Sequence, residues 1–379
     1  MSKKGKKQRE KYIQEKQRKR RLLRKVAFFC AAVFCFAALP FIILSSAYRT
    51  AEDRTVSAGV SVETQPLQFG TYPQSAVEDR EILAALGNLP LDWTYFEDCR
   101  AGAGFYGTME RTACMKYADV ALDGSRYRAV MIERFRPDSV LSPAAAEESR
   151  QDDNGFRLHE ICWFRFEPIR WIVLDENTGL VISESVLDAM PFNDSYYWVD
   201  RDFDNAPFID RELSATKYLF TPANLYKTSS VRKWLNNRFY DEAFTKEEKR
   251  ALRRAGHLAH ESAERKKYGL LSLSYDRVFL PSFRDIANYS GPDKEAATRL
   301  VPVTDYARCR GAYTFLHEGE YYTWYWLSSP GDGCADVLSV SAQIQIINSD
   351  RQFYYAHSLG GIRCAAFFKP DAFDRPVSE

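Results

Sequence analysis

The side chains that could do chemistry fall into three groups: clustered carboxylates, scattered cysteines and histidines, and one dense aromatic run. Asp200, Asp202 and Asp204 set hard oxygen donors at alternate positions, the spacing with which calcium loops open. The sixth and twelfth positions of such a loop are here Asn205 and Arg211 rather than Gly and Glu, so calcium and a solvated acidic loop both remain open. Asp332 and Asp336, beside Gly331 and Gly333, offer a second oxygen set, although Asp and Gly are also what tight turns require. Calcium is the one cofactor this pattern admits.

Eight cysteines are present, six of them beyond Cys30 and Cys35, and none stands in a CxxC or another metal-knuckle spacing. A disulfide between Cys334 and Cys364 is the preferred pairing because both fall in the closing segment, with buried free thiols as the alternative. His257 and His260 stand at i, i+3 without an identifiable third ligand, and they suit a solvated helix end. His357-Ser358 precedes a Gly-Gly pair that suits a turn. The chain has no GxSxG elbow and no HExxH helix, so no local arrangement exposes a nucleophile or holds zinc.

The aromatic run is denser. Tyr321, Tyr322, Trp324, Tyr325 and Trp326, with Phe353, Tyr354 and Tyr355, place rings on both faces of any strand they form. Either both faces are covered, or one presents Trp and Tyr for stacking on sugar or peptide. Tyr322, Trp324 and Tyr354 are the expected ligand-binding residues.

These groups are carried by a chain that a single stretch divides. Val26 to Ala47 holds 22 uncharged residues, about 33 Å as a helix, against a hydrocarbon core of about 30 Å. The preceding residues 1–25 carry thirteen Lys and Arg against Glu10 and Glu15. Basic flanks stay in the cytoplasm and attract anionic lipid, so the expected protein is single-pass in the cell membrane, with its N-terminus cytoplasmic and the rest extracytoplasmic. A cleaved signal peptide ending near Ser45-Ser46-Ala47 is the alternative. The remainder is net acidic, which argues against nucleic acid as a partner of the outer part. Residues 48–64 form a polar spacer, 65–369 one domain, and 370–379 a disordered tail.

Within the domain, Leu67 to Gln74 suits a short strand ending in a Gly-Thr-Tyr-Pro turn. Tyr117 to Arg136 suits a hairpin about Asp123-Gly124, and Ile161 to Ser183 a strand pair about Asp175 to Gly179. Ser142 to Gly155 suits a long surface loop. Ser229 or Ser230 caps a helix with Val231, Trp234, Leu235 and Phe239 on its buried face. Thr245 with Glu248 opens a charged helix through about Arg254. A strand at Arg277 to Leu280 precedes a helix over Ser282 to Tyr289, which Ser282 and Asp285 cap. Tyr321 to Phe368 closes the chain as β structure. Strands and helices segregate, so the expected class is α+β.

The ordered segments LQFGTYPQ, FEPIRWIVLD, SSVRKWLNNRFYDEAFTKEEK, DRVFLPS, WLSSPG and GGIRCAAFF resemble the motif string of the bacterial family called domain of unknown function number 6273, over Leu67 to Phe368. More loosely, Trp326, Pro330-Gly331 and Gly361-Ile362-Arg363 resemble the closing strands of the C-type-lectin-like and formylglycine-generating-enzyme-like fold. That resemblance implies one loop-rich mixed domain. The close cysteine pair of the enzymes is missing, since Cys309, Cys334 and Cys364 stand far apart. The expected function is a membrane-anchored binding or scaffold module for a cell-envelope ligand (cell-wall glycan, peptide or envelope protein). An extracytoplasmic enzyme using Cys and His is the alternative, and a structural subunit of an envelope complex the third reading.

Overall fold

The computed structural model describes residues 67–101, 112–139, 149–193, 223–258, 273–289, 301–331, 336–340, 353–356 and 358–369. The chain divides after Thr64, and every described residue belongs to the unit that starts at Gln65. Val26–Ala47, Asp200, Asp202, Asp204, Asp332, Cys334, His260 and His357 lie outside the described residues. Among the described residues no helix is long and apolar enough to cross a membrane.

Strands dominate, and the expected α+β class with its lectin-like arrangement is overturned. The helix starts are as expected, but each helix is short. Ser229 accepts from Arg232 N, Thr245 from Glu248 N and Ser282 from Asp285 N, the last two as full capping boxes. A cap fixes where a helix begins and says nothing of its length. The helix capped by Thr245 stops at Ala251, because Leu252 turns extended to bridge Phe368.

The central strand is β7 (Ile161–Asp175), 15 residues long. Earlier strands are β1 (Leu67–Ala76), β2 (Thr94–Tyr95), β3 (Arg100–Ala101), β4 (Thr112–Ala113), β5 (Met115–Leu122) and β6 (Ser125–Ile132). After it come β8 (Leu180–Ser183), β9 (Asp188–Pro191), β10 (Ala255–Leu258), β11 (Leu273–Asp276) and β12 (Val278–Phe279). The last are β13 (Phe315–His317), β14 (Glu320–Tyr322), β15 (Tyr325–Pro330), β16 (Asp336–Val340), β17 (Phe353–Tyr355), β18 (Leu359–Ile362) and β19 (Ala365–Phe367). The main sheet runs β12-β19-β8-β7-β6-β5-β2, with β1 also on β7. Phe164 and Trp171 are each paired on both sides, Phe164 with Arg128 and Ala76, Trp171 with Ser183 and Leu67. A second sheet runs β17-β16-β15-β18-β9, in which only β15 and β18 are parallel.

Local sequence explains the pairing. Asp123 and Gly124 both take positive φ, 49° and 77°, as the two-residue turn joining β5 to β6 demands. Gly70 behaves differently from expectation: β1 continues through it to Ala76, and its φ of 72° makes a bulge rather than a turn. A Cβ there would lie 2.9 Å from Ala243 O and 2.6 Å from the Phe244 ring. The bulge aims Gly70 N at Glu248 Oε1, 2.8 Å away, tying β1 to the Thr245 capping box.

Among the described residues seven α-helices pack on these sheets: α1 (Arg80–Gly87), α2 (Arg150–Asp153), α3 (Ser230–Trp234), α4 (Tyr240–Ala243), α5 (Lys246–Ala251), α6 (Phe283–Asn288) and α7 (Asp305–Cys309). Between α3 and α4 a π turn, Leu235–Phe239, keeps the rod continuous. Its wider winding puts Val231, Leu235 and Phe239, spaced by four, on one buried line, with Trp234 packed beside them. Two other expectations fail. Arg150–Asp153 is a helical turn with Gln151 fully buried rather than loop, and His257 belongs to strand β10 rather than to a helix end. The largest apolar cluster joins one face of β7 (Phe164) to Tyr72, Tyr226, Leu235, Phe239 and Tyr306, while Trp163, on the opposite face, packs with Ala129, Tyr127 and Leu86.

Candidate functional site

The densest chemistry lies inside the fold. Arg310, 1% exposed, follows α7 and forks between two carboxylates: Nε to Asp188 Oδ1 at 2.8 Å and Nη2 to Asp98 Oδ2 at 2.5 Å. Its Nη1 contacts Cys99 Sγ. Asp188, on β9, also accepts from Tyr72 OH at 2.8 Å and Ala189 N at 2.7 Å. Asp98 meets Arg136 at 3.5 Å, and Arg136 Nη1 caps the carbonyls of Ala189 and Arg310 at 2.9 and 2.7 Å. A second fork, Arg128 of β6, holds Asp119 through two 2.7 Å bonds, contacts Glu242 of α4, and donates to Tyr306 OH at 3.2 Å. Arg238 stacks over Tyr117 at 4.7 Å and pairs with Glu242 at 3.8 Å.

This network joins both sheets and three helical pieces, and four guanidinium groups match four carboxylates. Burial alone would raise Asp98, but Arg310, Arg136 and Arg238 hold its carboxyl below the ordinary range. Burial pushes Glu242 up against the pull of Arg128. It also pushes the Cys99 thiol up to about 12, over the opposing pull of Arg136 and Arg310. Cys99 is therefore a thiol at neutral pH, fully buried, and not a nucleophile in this conformation. Asp98, Asp188, Arg128, Arg136 and Arg310 are buried while Asp119 reaches the surface, and the paired groups tie these elements of the fold together.

The surface tells a different story. Among the described residues six large hydrophobic side chains are exposed, and three cluster at Tyr313 (48%), Leu316 (61%) and Tyr321 (37%). They belong to the β13–β14 hairpin and its approach. Glu318 and Gly319, with φ of 50° and 88°, make its two-residue turn. Directly paired residues share a face, so Leu316 and Tyr321 project together on one side, and Phe315 with Tyr322 and His317 with Glu320 on the other. Phe315 packs against the main core, 5.8 Å from the Tyr322 ring, so the Leu316–Tyr321 face is the outer one. The Arg308 guanidinium stacks 3.6 Å from the Tyr321 ring, held by Asp305 at 2.9 Å and Asn154 O at 3.2 Å. Val303 N donates to Tyr321 O, and Pro302 bridges Tyr322, which fastens the hairpin to the body.

The expected ligand-binding residues separate here. Tyr322 is half-buried, its hydroxyl donating to Glu320 Oε2 at 2.9 Å; that bond, more than burial, raises its pKa. Trp324 is a correction: it is 4% exposed, packed edge-on against Trp326 at 4.9 Å, with Gly360 beneath both rings. It offers no free face to a ligand. Tyr354 lies on β17, and Asp336 opens β16 opposite Tyr355. Cys364 is a buried free thiol, raised by burial, while Cys334 falls outside the described residues. Among the described residues no group of three or more His, Cys, Asp or Glu could hold a metal ion.

Sequence reasoning passed over the hairpin and the network, though each had a signal. Glu318-Gly319 between FLH and EYY has the Xaa-Gly form of a two-residue turn. Arg128 and Asp188 interrupt the apolar runs YRAVMI and LDAM, where a buried strand admits charge only if it is paired.

No curated protein and no solved structure matches this chain. The motif resemblance drawn from Leu67 onward is borne out over a shorter range, since β1 to β9, with Tyr72, Asp98, Arg128 and Asp188, precede the matched segment. That segment, residues 205–370, carries the hairpin, Arg308 and Arg310, and it matches the family model described as a domain of unknown function (DUF6273).

Proposed function

We propose that this protein is a non-catalytic binding or scaffold module, anchored in the cell membrane through the uncharged stretch Val26–Ala47, which displays its β domain to a cell-envelope ligand. The observation that carries the reading is the outer face of the β13–β14 hairpin. Leu316 and Tyr321 stand exposed side by side, with Arg308 fixed against the Tyr321 ring. An exposed tyrosine held by its neighbours loses little side-chain entropy on stacking against a sugar ring or peptide plane. Tyr322 and Glu320 line the other side of the same hairpin. The basic residues 1–25 lie against anionic lipid on the opposite side of the membrane. The buried thiol of Cys99 supports a non-catalytic role over an enzyme reading centred on that cysteine.

The test is co-sedimentation of residues 50–379 with purified bacterial cell wall, comparing wild type with Leu316→Ala/Tyr321→Ala. Saturable pelleting lost in the folded double variant supports the reading. Pelleting indifferent to both substitutions, or none at all, sinks the hairpin as the site.

A further inference from the structure

Cys162 and Cys309 lie far apart in sequence, and the fold brings them together. Cys162 is on β7 and, two residues before Phe164, shares that residue's face of the strand. Cys309 ends α7 and, three residues after Tyr306, shares that residue's side of the helix. Phe164 and Tyr306 meet edge-to-face at 5.4 Å. One step back along β7 and one turn on along α7 from this ring contact stand the two thiols, and a hydrogen bond joins them. Gln151 holds the site: its Nε2 donates to Cys309 O at 2.7 Å and contacts Met115 Sδ at 3.2 Å, while Cys162 is fixed by the pairing of β7 with Val130 of β6.

The two thiols differ in access. Cys162 is half-buried next to exposed Ile161, whereas Cys309 is fully buried. The hydrogen bond from Cys309 lowers the pKa of Cys162, and burial raises that of Cys309 well above the ordinary value.

We propose that Cys162 and Cys309 are a disulfide-forming pair that closes by thiol–disulfide exchange with a small-molecule disulfide such as oxidised glutathione, Cys162 entering first and Cys309 resolving. The Cys162 thiolate attacks one sulfur of the oxidant, forming a mixed disulfide and expelling one glutathione thiolate. Cys309, losing its proton, then attacks Cys162 Sγ, breaking the mixed disulfide and expelling the second. The two thiol protons pass to the expelled thiolates, and the two electrons have reduced the oxidant. The bond cross-links β7 to the end of α7, next to Arg310 and the charge network. This site is independent of the hairpin and of any ligand.

The experiment uses the full chain in mild detergent, incubated folded with oxidised glutathione, blocked with N-ethylmaleimide, digested without reductant and mapped by mass spectrometry. The expected product is one peptide pair joined through Cys162 and Cys309. Cys309→Ser traps glutathione on Cys162, whereas Cys162→Ser leaves Cys309 unmodified. Finding both thiols blocked by maleimide after oxidation overturns the proposal, as does Cys162 joined to another cysteine. The wild-type map decides the matter even where a serine variant fails to fold.

Discussion

Arg310→Leu is the substitution whose effect the structure fixes most closely. The guanidinium is sealed from solvent and is shared by Asp98 and Asp188, themselves buried. Removing one partner of a buried pair costs about 3–5 kcal/mol, chiefly because charge is left without compensation. Here the loss is softened at both ends: Asp188 keeps Tyr72 OH and Ala189 N, and Asp98 keeps Arg136 at 3.5 Å. It is aggravated by the cavity that Arg310 leaves beneath Phe96, whose ring lies 4.0 Å from the guanidinium. At about 2–4 °C per kcal/mol for a domain of this size, Tm falls by roughly 6–20 °C. The pH dependence separates this account from simple loss of packing. In the wild type the folded Asp98 carboxyl is held below its ordinary value, so its contribution is intact above about pH 4 and is lost only as pH falls through the folded pKa. Without Arg310 burial acts on Asp98 with less opposition, its folded pKa rises, and acidification from pH 7 toward 4 recovers stability. The deficit of the variant measured by thermal unfolding must therefore shrink as pH drops through that window. A Tm change under about 2 °C, or a deficit that stays constant from pH 7 to 4, refutes the reasoning.

Other substitutions probe separate contacts. Gly360→Ala places a Cβ against the Trp324 ring and 2.5 Å from Trp326 Nε1, and overpacking of this kind costs about 1–3 kcal/mol in denaturant titration; a neutral result would mean that the two indoles are loosely held. Glu248→Ala should destabilise more than Thr245→Ala, which costs about 1 kcal/mol, because the carboxylate also accepts from Gly70 N; equal losses would remove the bulge from the account. Leu316→Ala and Tyr321→Ala should leave stability within about 0.5 kcal/mol while abolishing cell-wall pelleting, and a large Tm loss would recast the hairpin as core.

The elements legible in the sequence were those whose signal is local. Asp123-Gly124 specifies its turn by the φ it tolerates, and Ser229, Thr245 and Ser282 specify helix starts by the oxygen they offer to N–H groups two or three residues on. What failed depended on partners distant in sequence. The Gly70 bulge looks like a turn until Ala243 and Phe244 are found pressed against it, and the short helices look like an α layer until the strands pairing around them are counted. Trp324 failed for the same reason. Period-2 alternation assigns it to the face opposite Tyr325, and it would be open only if nothing covered that face. Gly360 and Gly361 of β18, without side chains, let the strand approach so closely that both Trp324 and Trp326 are enclosed. Three residues further back, at Tyr321, the chain leaves this shelter, and the exposed aromatic surface shifts to Tyr321 and Leu316. A candidate binding face thus moved by three residues because of two glycines almost forty positions away, which is the physical reason why an aromatic run locates a surface only once its covering strand is known.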